Sequence, residues 1–160
     1  MAGGILILGV GNVLMGDEGV GVHAARRLEH EGGLDGVTIV DGGTGGFHLL
    51  SYLSDYDPVV MIDATLDGRP PGTVSVIEPK YASDFPRSLS AHDIGLRDLV
   101  ESAALLRPLP TIRLVTVSVG ALQPMRTSLS PAIEAALPDV LSTVRAAVAH
   151  LRAAAGGAAP

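Results

Sequence analysis

The segment from Gly9 to Gly21 constrains the fold and the chemistry of this chain more than any other. A short apolar run, Ile5 to Leu8, leads into a glycine-rich loop, and the loop brings Asp17 and Glu18 to the start of a helical pattern. A strand, a glycine loop and a helix in this order typically bind a nucleotide, because loop amides and the helix N-terminus attract phosphate. Here two carboxylates stand where the phosphate would lie, so they repel an anion and attract a cation. The segment therefore predicts a metal or cation site on a dinucleotide-like frame.

The composition indicates one folded domain that binds neither nucleic acid nor an anionic membrane. The chain has 160 residues, of which 47% are hydrophobic and 18% are charged, which is enough to bury a substantial core. Its net charge is −6 and it has no run of Lys or Arg, so a polyanion gains no attraction. We expect a single α/β domain over residues 1–152, followed by a flexible Ala/Gly-rich tail over residues 153–160.

Features that the sequence lacks limit which residues could bind a metal and where in the cell the protein is expected. The chain contains no cysteine, so a metal must be bound by His, Asp, Glu, backbone or water. No apolar run approaches the ~20 residues that span a bilayer, and the N-terminus has no basic region before a long apolar segment. We therefore expect a cytoplasmic protein without membrane attachment.

Short apolar runs bounded by turn residues predict a mostly parallel sheet. The first three alternate with two helical patterns, the β-α-β-α-β arrangement of parallel sheets with right-handed crossovers. Thr73–Ile77 alternates apolar and polar residues and predicts an antiparallel edge strand. The other predicted strands are Ile5–Val10, Val37–Val40, Val59–Ile62 and Ile112–Val119.

Helical patterns lie between these strands and after the last of them. The second predicted helix covers Phe47–Tyr56 and the third covers Asp93–Ala104. Ser130-Pro131 begins a closing helical region, because Ser caps helices and Pro suits the first helical position. Pro138 is predicted to kink or split that region.

Acidic residues follow three successive strands. Glu18 comes after the first strand, Asp41 ends the second, and Asp63 ends the third. Open α/β sheets place their sites beyond the carboxyl ends of the strands. The pattern therefore predicts that carboxylates meet at one edge of the sheet. Acidic residues placed at random on the surface would not be confined to that edge.

His92 is predicted to join these carboxylates from a helix start. Ser90-Ala91-His92-Asp93 fits a capping box with Asp in place of Glu, which puts His92 beside a helix N-terminus. The positive end of the helix dipole disfavours imidazolium, so the ring should stay neutral and able to bind metal near pH 7.

Glu18, Asp63 and His92 together form a set of two oxygen ligands and one nitrogen ligand. Such a set with open positions suits a divalent ion such as zinc, nickel or cobalt. Asp41 is interpreted as a group that orients the substrate. The loop that follows it, with Gly42, Gly43 and Thr44, would let a peptide backbone approach closely because glycines present amides without side chains.

Structural roles are the alternatives at each of these positions. Asp17 could cap the first helix, Glu18 could interact with the helix dipole, and Asp41 could form an Asx turn. His92 could be an incidental residue of a first helical turn, and the glycine loop could be a mere tight turn. Three other histidines are expected to be solvated, namely His23, His30 and His150.

Signatures of several other classes of protein are absent. Gly9-x-Gly11-x-x-Leu14 lacks the third glycine of a dinucleotide fingerprint, and there is no phosphate-loop Gly-Lys-Ser/Thr. With neither a Gly-x-Ser-x-Gly elbow nor a cysteine nucleophile, a covalent hydrolase is disfavoured. A nucleotide- or anion-binding regulator that uses the first glycine loop is an alternative, although Asp17 and Glu18 argue against it.

Short motifs run through the chain from Ile5 to about Val148, and their order is more specific than any one of them. The motifs are Gly9-Val10-Gly11-Asn12, Asp17-Glu18-Gly19-Val20-Gly21, Asp41-Gly42-Gly43-Thr44-x-Gly46, Ile62-Asp63-Ala64, Ser90-x-His92, Leu122-Gln123-Pro124 and Leu129-Ser130. This ordered set resembles the hydrogenase maturation proteases, the endopeptidases that trim the C-terminal extension of the large subunit of nickel–iron hydrogenases.

The resemblance implies a fold and a set of site residues. The implied fold is a three-layer α/β sandwich, in which helices cover both faces of a twisted, mostly parallel sheet. The implied metal ligands are Glu18, Asp63 and His92, which also form the catalytic group together with Asp41.

The resemblance also implies a substrate and a cofactor. The substrate is the hydrogenase large-subunit precursor, cleaved after its metal has been inserted, by an aspartyl-type or metal-dependent peptidase. Nickel is expected to arrive with the precursor, and zinc or cadmium are other ions that suit the site. The alternative is a non-catalytic nickel-binding maturation chaperone that uses the same ligands.

Overall fold

The chain alternates strands and helices for most of its length. The computed structural model describes residues 3–86, 95–121, 123 and 125–157. The strands are β1 (Ile5–Gly9), β2 (Val37–Asp41), β3 (Val59–Thr65), β4 (Val74–Ile77) and β5 (Ile112–Ser118). The helices are α1 (Val20–His30), α2 (Leu50–Asp55), α3 (Leu96–Leu106) and α4 (Pro131–Gly157). Short 3₁₀ turns cover Gly16–Gly19, Phe47–Leu49 and Ala82–Asp84.

The five strands form one sheet in the order β2-β1-β3-β5-β4. The pairs β2–β1, β1–β3 and β3–β5 are parallel, and β4 pairs with β5 in the antiparallel direction. Gly9 of β1 pairs with Asp41 of β2, and Asp63 of β3 pairs with Thr116 of β5. The predicted parallel sheet and its antiparallel edge strand are therefore confirmed.

Two apolar layers cover the two faces of this sheet. Because side chains alternate along a strand, Ile7 faces one layer while Leu6 and Leu8 face the other. The first layer contains α1 and α4, and the second contains α2 and α3. The three-layer α/β sandwich that the sequence predicts is thus confirmed.

Two helices differ from the prediction. Helix α3 begins at Leu96 rather than at Asp93, and Gly95 precedes it with an extended backbone (ψ 165°) as its N-cap. The sequence predicts that Pro138 kinks or splits the closing helical region, but α4 runs through Pro138 as one helix, so the split is wrong. Pro138 removes one backbone hydrogen bond, but buried residues on both sides of it, including Leu137 and Val140, keep the helix packed on the sheet.

Helix α4 is the longest element, and it continues into the segment that the sequence predicts to be a flexible tail. It contains 27 residues and ends at Gly157, beyond the predicted domain boundary at residue 152. Its larger apolar residues face the core, while many of its alanines and polar residues are exposed. Within the described residues, no helix is both long enough and apolar enough to span a membrane.

Direct backbone contact holds the start of α1 against the sheet. A Cβ atom added at Gly21 would lie 2.2 Å from the carbonyl oxygen of Ile62 and 2.4 Å from that of Val10. A Cβ at Gly9 would lie 2.1 Å from the carbonyl oxygen of Gly21. Only glycine fits at these positions, because rigid backbone atoms fill the space that any side chain would need. The glycines thereby fix the N-terminus of α1 beside the ends of β1 and β3.

We expect Gly21→Ala to lower the free energy of unfolding by about 1–3 kcal/mol, the usual cost of forcing an extra group into a packed core. Gly156→Ala is the matched control, because Gly156 also lies in a helix but has no atom within 4 Å of the added Cβ. Urea unfolding followed by circular dichroism measures both. Equal stabilities of the two variants would contradict the close contact.

Candidate active site

Glu18 and Asp63 form a pair of carboxylates at the edge where the parallel strands end. Glu18 lies in the Gly16–Gly19 turn between β1 and α1, and only 6% of it is exposed. Asp63 lies within β3, two residues before the strand ends at Thr65. The negative charge of Glu18 raises the pKa of Asp63, although desolvation has the larger effect. The structure thus brings together two of the three predicted metal ligands.

The surroundings of Asp63 disfavour ionisation of its carboxyl group. The side chain keeps some exposure to solvent, yet the protein atoms around it desolvate the carboxylate and raise its pKa well above the ordinary value. The Ala64 N–H donates a hydrogen bond to Oδ1 of Asp63 at 2.8 Å, which lowers the pKa and offsets only part of this effect. A group with this setting favours either a proton or a nearby cation.

The segment after β5 holds the turn that carries Glu18. The Gly16 N–H donates to the carbonyl oxygen of Arg126 at 2.7 Å, and the Arg126 N–H donates to the carbonyl oxygen of Leu14 at 3.0 Å. The Asp17 N–H donates to Oε1 of Gln123 at 3.2 Å. The sequence pointed to Gln123 only as part of a family motif and gave no sign of this contact.

Asp17 links the first loop to the last helix instead of capping α1. It is buried, and its Oδ1 accepts a hydrogen bond from the N–H of Ser130 at 2.7 Å, directly before α4. In the part of the chain that the structure describes, no side chain caps the N-terminus of α1. The predicted alternative of an Asp17 cap on that helix is therefore wrong, and Asp17 supports the start of α4.

Asp41 takes the structural role that the sequence left open. Its Oδ1 accepts a hydrogen bond from the N–H of Gly43 at 2.9 Å, which forms an Asx turn. Its Oδ2 accepts from Nε of Arg26 at 2.8 Å. Both oxygens are thus engaged within the chain, and β1 separates the strand of Asp41 from the strand of Asp63.

The loop after Asp41 takes a path that requires glycine. Gly43 and Gly46 have positive φ angles of 56° and 93°, which side chains disfavour. Gly42 is buried against Gly9, and the Gly11 N–H donates to the carbonyl oxygen of Gly43 at 2.8 Å. Thr44, the last residue predicted to contact substrate, is exposed.

The first glycine loop folds back on itself at the position where a nucleotide-binding loop would leave room for phosphate. A Cβ at Gly11 would lie 2.0 Å from the carbonyl oxygen of Glu18. A carbonyl oxygen and a carboxylate next to this loop disfavour an anion. The geometry therefore argues against the alternative of a nucleotide-binding regulator.

Two histidine predictions have different outcomes. His92 and its predicted cap residue Ser90 lie outside the described residues, and within those residues no cluster of three or more acids and histidines could hold a metal ion. His23 is half-buried, and its Nε2 has no hydrogen-bond partner in the ranges that the structure covers. Burial and the charges of Arg26 and Arg27 lower the pKa of His23. The prediction that His23 is solvated is therefore wrong.

Comparison with known proteins identifies the family of the chain. A family model described as hydrogenase maturation protease matches residues 22–147. The chain belongs to the hydrogenase maturation protease family. It is 34% identical to the hydrogenase 2 maturation protease of Escherichia coli K12 over 148 residues, which cover 90% of this chain and 90% of that protein. The resemblance inferred from the ordered motifs is confirmed.

Other relatives of this maturation protease support the same assignment. The structure of the hydrogenase maturating endopeptidase HybD from E. coli matches it with a TM-score of 0.80 and 32% identity, covering 94% of this chain and 93% of that one. The hydrogenase expression/formation protein HupD of Rhizobium leguminosarum is 36% identical over 109 residues. The chain spans only about half of HupD, since the match covers 54% of it. Family membership makes the chain a peptidase, which disfavours the alternative of a non-catalytic chaperone.

The raised pKa of Asp63 predicts how the stability of this maturation protease depends on pH. After treatment with a chelator, the free energy of unfolding should fall as pH rises from 3.8 through the pKa of Asp63 in the folded chain. Over this interval the unfolded chain releases a proton that the folded chain retains, so a higher pH favours unfolding. Asp63→Asn cannot ionise and should lose less stability over the same interval. Urea unfolding between about pH 4 and pH 8 tests this, and an equal or steeper loss of stability in Asp63→Asn would contradict it.

Proposed function

We propose that this maturation protease removes the C-terminal extension of a nickel–iron hydrogenase large-subunit precursor after the metal has been inserted. The observation that carries the proposal is the pair of carboxylates, Glu18 and Asp63, at the carboxyl edge of the sheet in a member of this family. The names of the relatives support a hydrogenase protein as the substrate. We expect the reaction to take place in the cytoplasm.

We propose Glu18, Asp63 and His92 as the metal ligands. The donor set fits a divalent cation, because a positive charge would offset both the desolvation and the repulsion by Glu18 that raise the pKa of Asp63. Nickel would arrive as part of the precursor, and zinc or cadmium would suit the same oxygen and nitrogen donors. The requirement for the ion would restrict cleavage to precursors that have already received their metal.

Different parts of the site would activate the attacking water and hold the substrate segment. A bound divalent ion would supply a Lewis acid for the scissile carbonyl or for the attacking water. A carboxylate oxygen of Asp63 that does not bind the ion would accept a proton from that water and return it to the leaving amine. Asp41 would act by keeping the loop of Gly42, Gly43 and Thr44 in the shape that receives the extended C-terminal segment.

Exposed apolar side chains at the same edge support a folded protein as the substrate. Leu14, Phe47, Leu66 and Met125 follow β1, β2, β3 and β5, and each is more than half exposed. Large apolar residues exposed together are typical of surfaces that bind another protein. A surface of this kind would recognise the precursor around its cleavage site.

Cleavage of a purified nickel-loaded precursor, followed by mass spectrometry, tests the proposed function. The wild-type chain should release a C-terminal peptide, while Glu18→Gln and Asp63→Asn should reduce the rate at least about 10²-fold, the usual contribution of an acid–base group. Glu29→Gln is the matched control, because Glu29 is an exposed carboxylate on α1. If the wild-type chain binds the precursor without releasing a peptide, the proposal fails and the chaperone alternative gains support.

The apolar edge predicts a separate effect on substrate binding. Phe47→Ser and Met125→Ser should each raise KM for the precursor about fivefold, corresponding to about 1 kcal/mol of binding, with little change in kcat. Leu105→Ser is the control, because Leu105 is 88% exposed but lies at the end of α3, near the start of β5 and thus toward the opposite edge. An equal effect of all three substitutions would argue against this edge as the docking surface.

A further inference from the structure

We propose that Gln123 is a positioning residue for Glu18, because its side chain caps the turn that carries Glu18. The inference rests on the proposed function, in which Glu18 acts at the active site. Gln123 would not touch the substrate or the metal. It would act through the backbone of Asp17, the residue directly before Glu18.

The Gly16–Gly19 turn has little support of its own. It is a 3₁₀ turn of four residues, and the residue before it, Met15, makes no capping hydrogen bond with its side chain. The Glu18 N–H reaches the carbonyl oxygen of Met15 only at 3.4 Å. The N–H groups at the start of a helical turn have no partner within it, so Gly16 and Asp17 need acceptors from elsewhere.

Residues after β5 supply both acceptors. The carbonyl oxygen of Arg126 accepts from the Gly16 N–H at 2.7 Å, and Oε1 of Gln123 accepts from the Asp17 N–H at 3.2 Å. The first acceptor belongs to the backbone and is available whatever side chain stands at position 126. The second depends on the side chain, so Gln123 is the residue at which a substitution removes a cap from the turn.

The fit between Gln123 and Gly16 strengthens the assignment. A Cβ atom at Gly16 would lie 2.2 Å from Oε1 and 2.8 Å from Cβ of Gln123, so the glutamine occupies the space beside the glycine. The φ of Gly16 is 61°, a conformation that also favours glycine. The glutamine side chain therefore packs directly against the turn at the point where it accepts the hydrogen bond.

Asp17 is held from a second side as well. While its N–H bonds to Gln123, its Oδ1 accepts from the N–H of Ser130 at 2.7 Å. These contacts fix the main chain and the side chain of the residue that precedes Glu18. Loss of the Gln123 contact should leave the fold in place, because Asp17 keeps its contact with Ser130, but it should allow Glu18 to move from its position beside Asp63.

Gln123→Met is the main test, because methionine has a similar length and no oxygen acceptor. We expect kcat for precursor cleavage to fall about 10²-fold with little change in KM or in the melting temperature, as for the misplacement of a catalytic group by about 1 Å. Exchange of the Asp17 amide hydrogen, measured by NMR in the protein without substrate, should become faster. Wild-type kcat and wild-type protection of this amide in Gln123→Met would overturn the inference.

Two further variants distinguish loss of the hydrogen bond from a general disturbance of the segment after β5. Gln123→Glu keeps an oxygen acceptor at the same length, so it should retain the protection of the Asp17 amide and more activity than Gln123→Met. Loss of that protection in Gln123→Glu would overturn the inference even if Gln123→Met did not fold. Ser128→Ala changes an exposed residue of the same segment and should behave like the wild type.

The Glu18→Gln variant tells a failure of the proposed function from a failure of the role of Gln123. If Glu18→Gln cleaves the precursor normally, the proposed role of Glu18 fails, and the role of Gln123 fails with it. If Glu18→Gln is inactive while Gln123→Met cleaves normally, only the positioning role of Gln123 fails.

Discussion

The structure depends on a contact between backbones, in which the start of α1 lies directly on the ends of β1 and β3. Gly9 and Gly21 make this contact possible, because any side chain at either position would overlap a carbonyl group. The close approach puts the turn before α1 over the edge of the sheet and so buries Glu18 near Asp63. In a nucleotide-binding loop the glycines make room for phosphate. Here they make room for backbone carbonyl groups of the chain.

This arrangement gives the acidic residues different surroundings. Asp41 has an arginine and a backbone amide as partners, and Asp17 has the backbone amide of Ser130 before α4. Asp63 instead lies near the charge of Glu18 and accepts a hydrogen bond from the N–H of its neighbour Ala64. Burial of a carboxylate beside a like charge opposes folding unless a proton or a cation is bound. A site that gives up stability in this way is typical of functional residues rather than structural ones.

The elements that depend on local pattern could be predicted from the sequence. Apolar runs between turn residues indicated the parallel strands, and alternation indicated the antiparallel strand β4. The position of Glu18 and Asp63 at one edge followed from the rule that parallel strands end on the same side. The start of α3 could not be predicted in this way, because the Ser90 cap pattern suggested an earlier start than Gly95 provides. The unbroken α4 depends on buried contacts around Pro138 that local propensity ignores.

The contacts of Asp17 with Gln123 and Ser130 could not be predicted from local patterns, since they join segments that are distant along the chain. Asp17 and Ser130 are separated by 113 positions, and the sequence gives no sign that they touch. The same separation has a consequence for synthesis on the ribosome. A nascent chain in which the residues after β5 have not yet emerged lacks three partners of the first loop, namely Gln123, Arg126 and Ser130. The turn that carries Glu18 would therefore gain its full set of hydrogen bonds only late in synthesis.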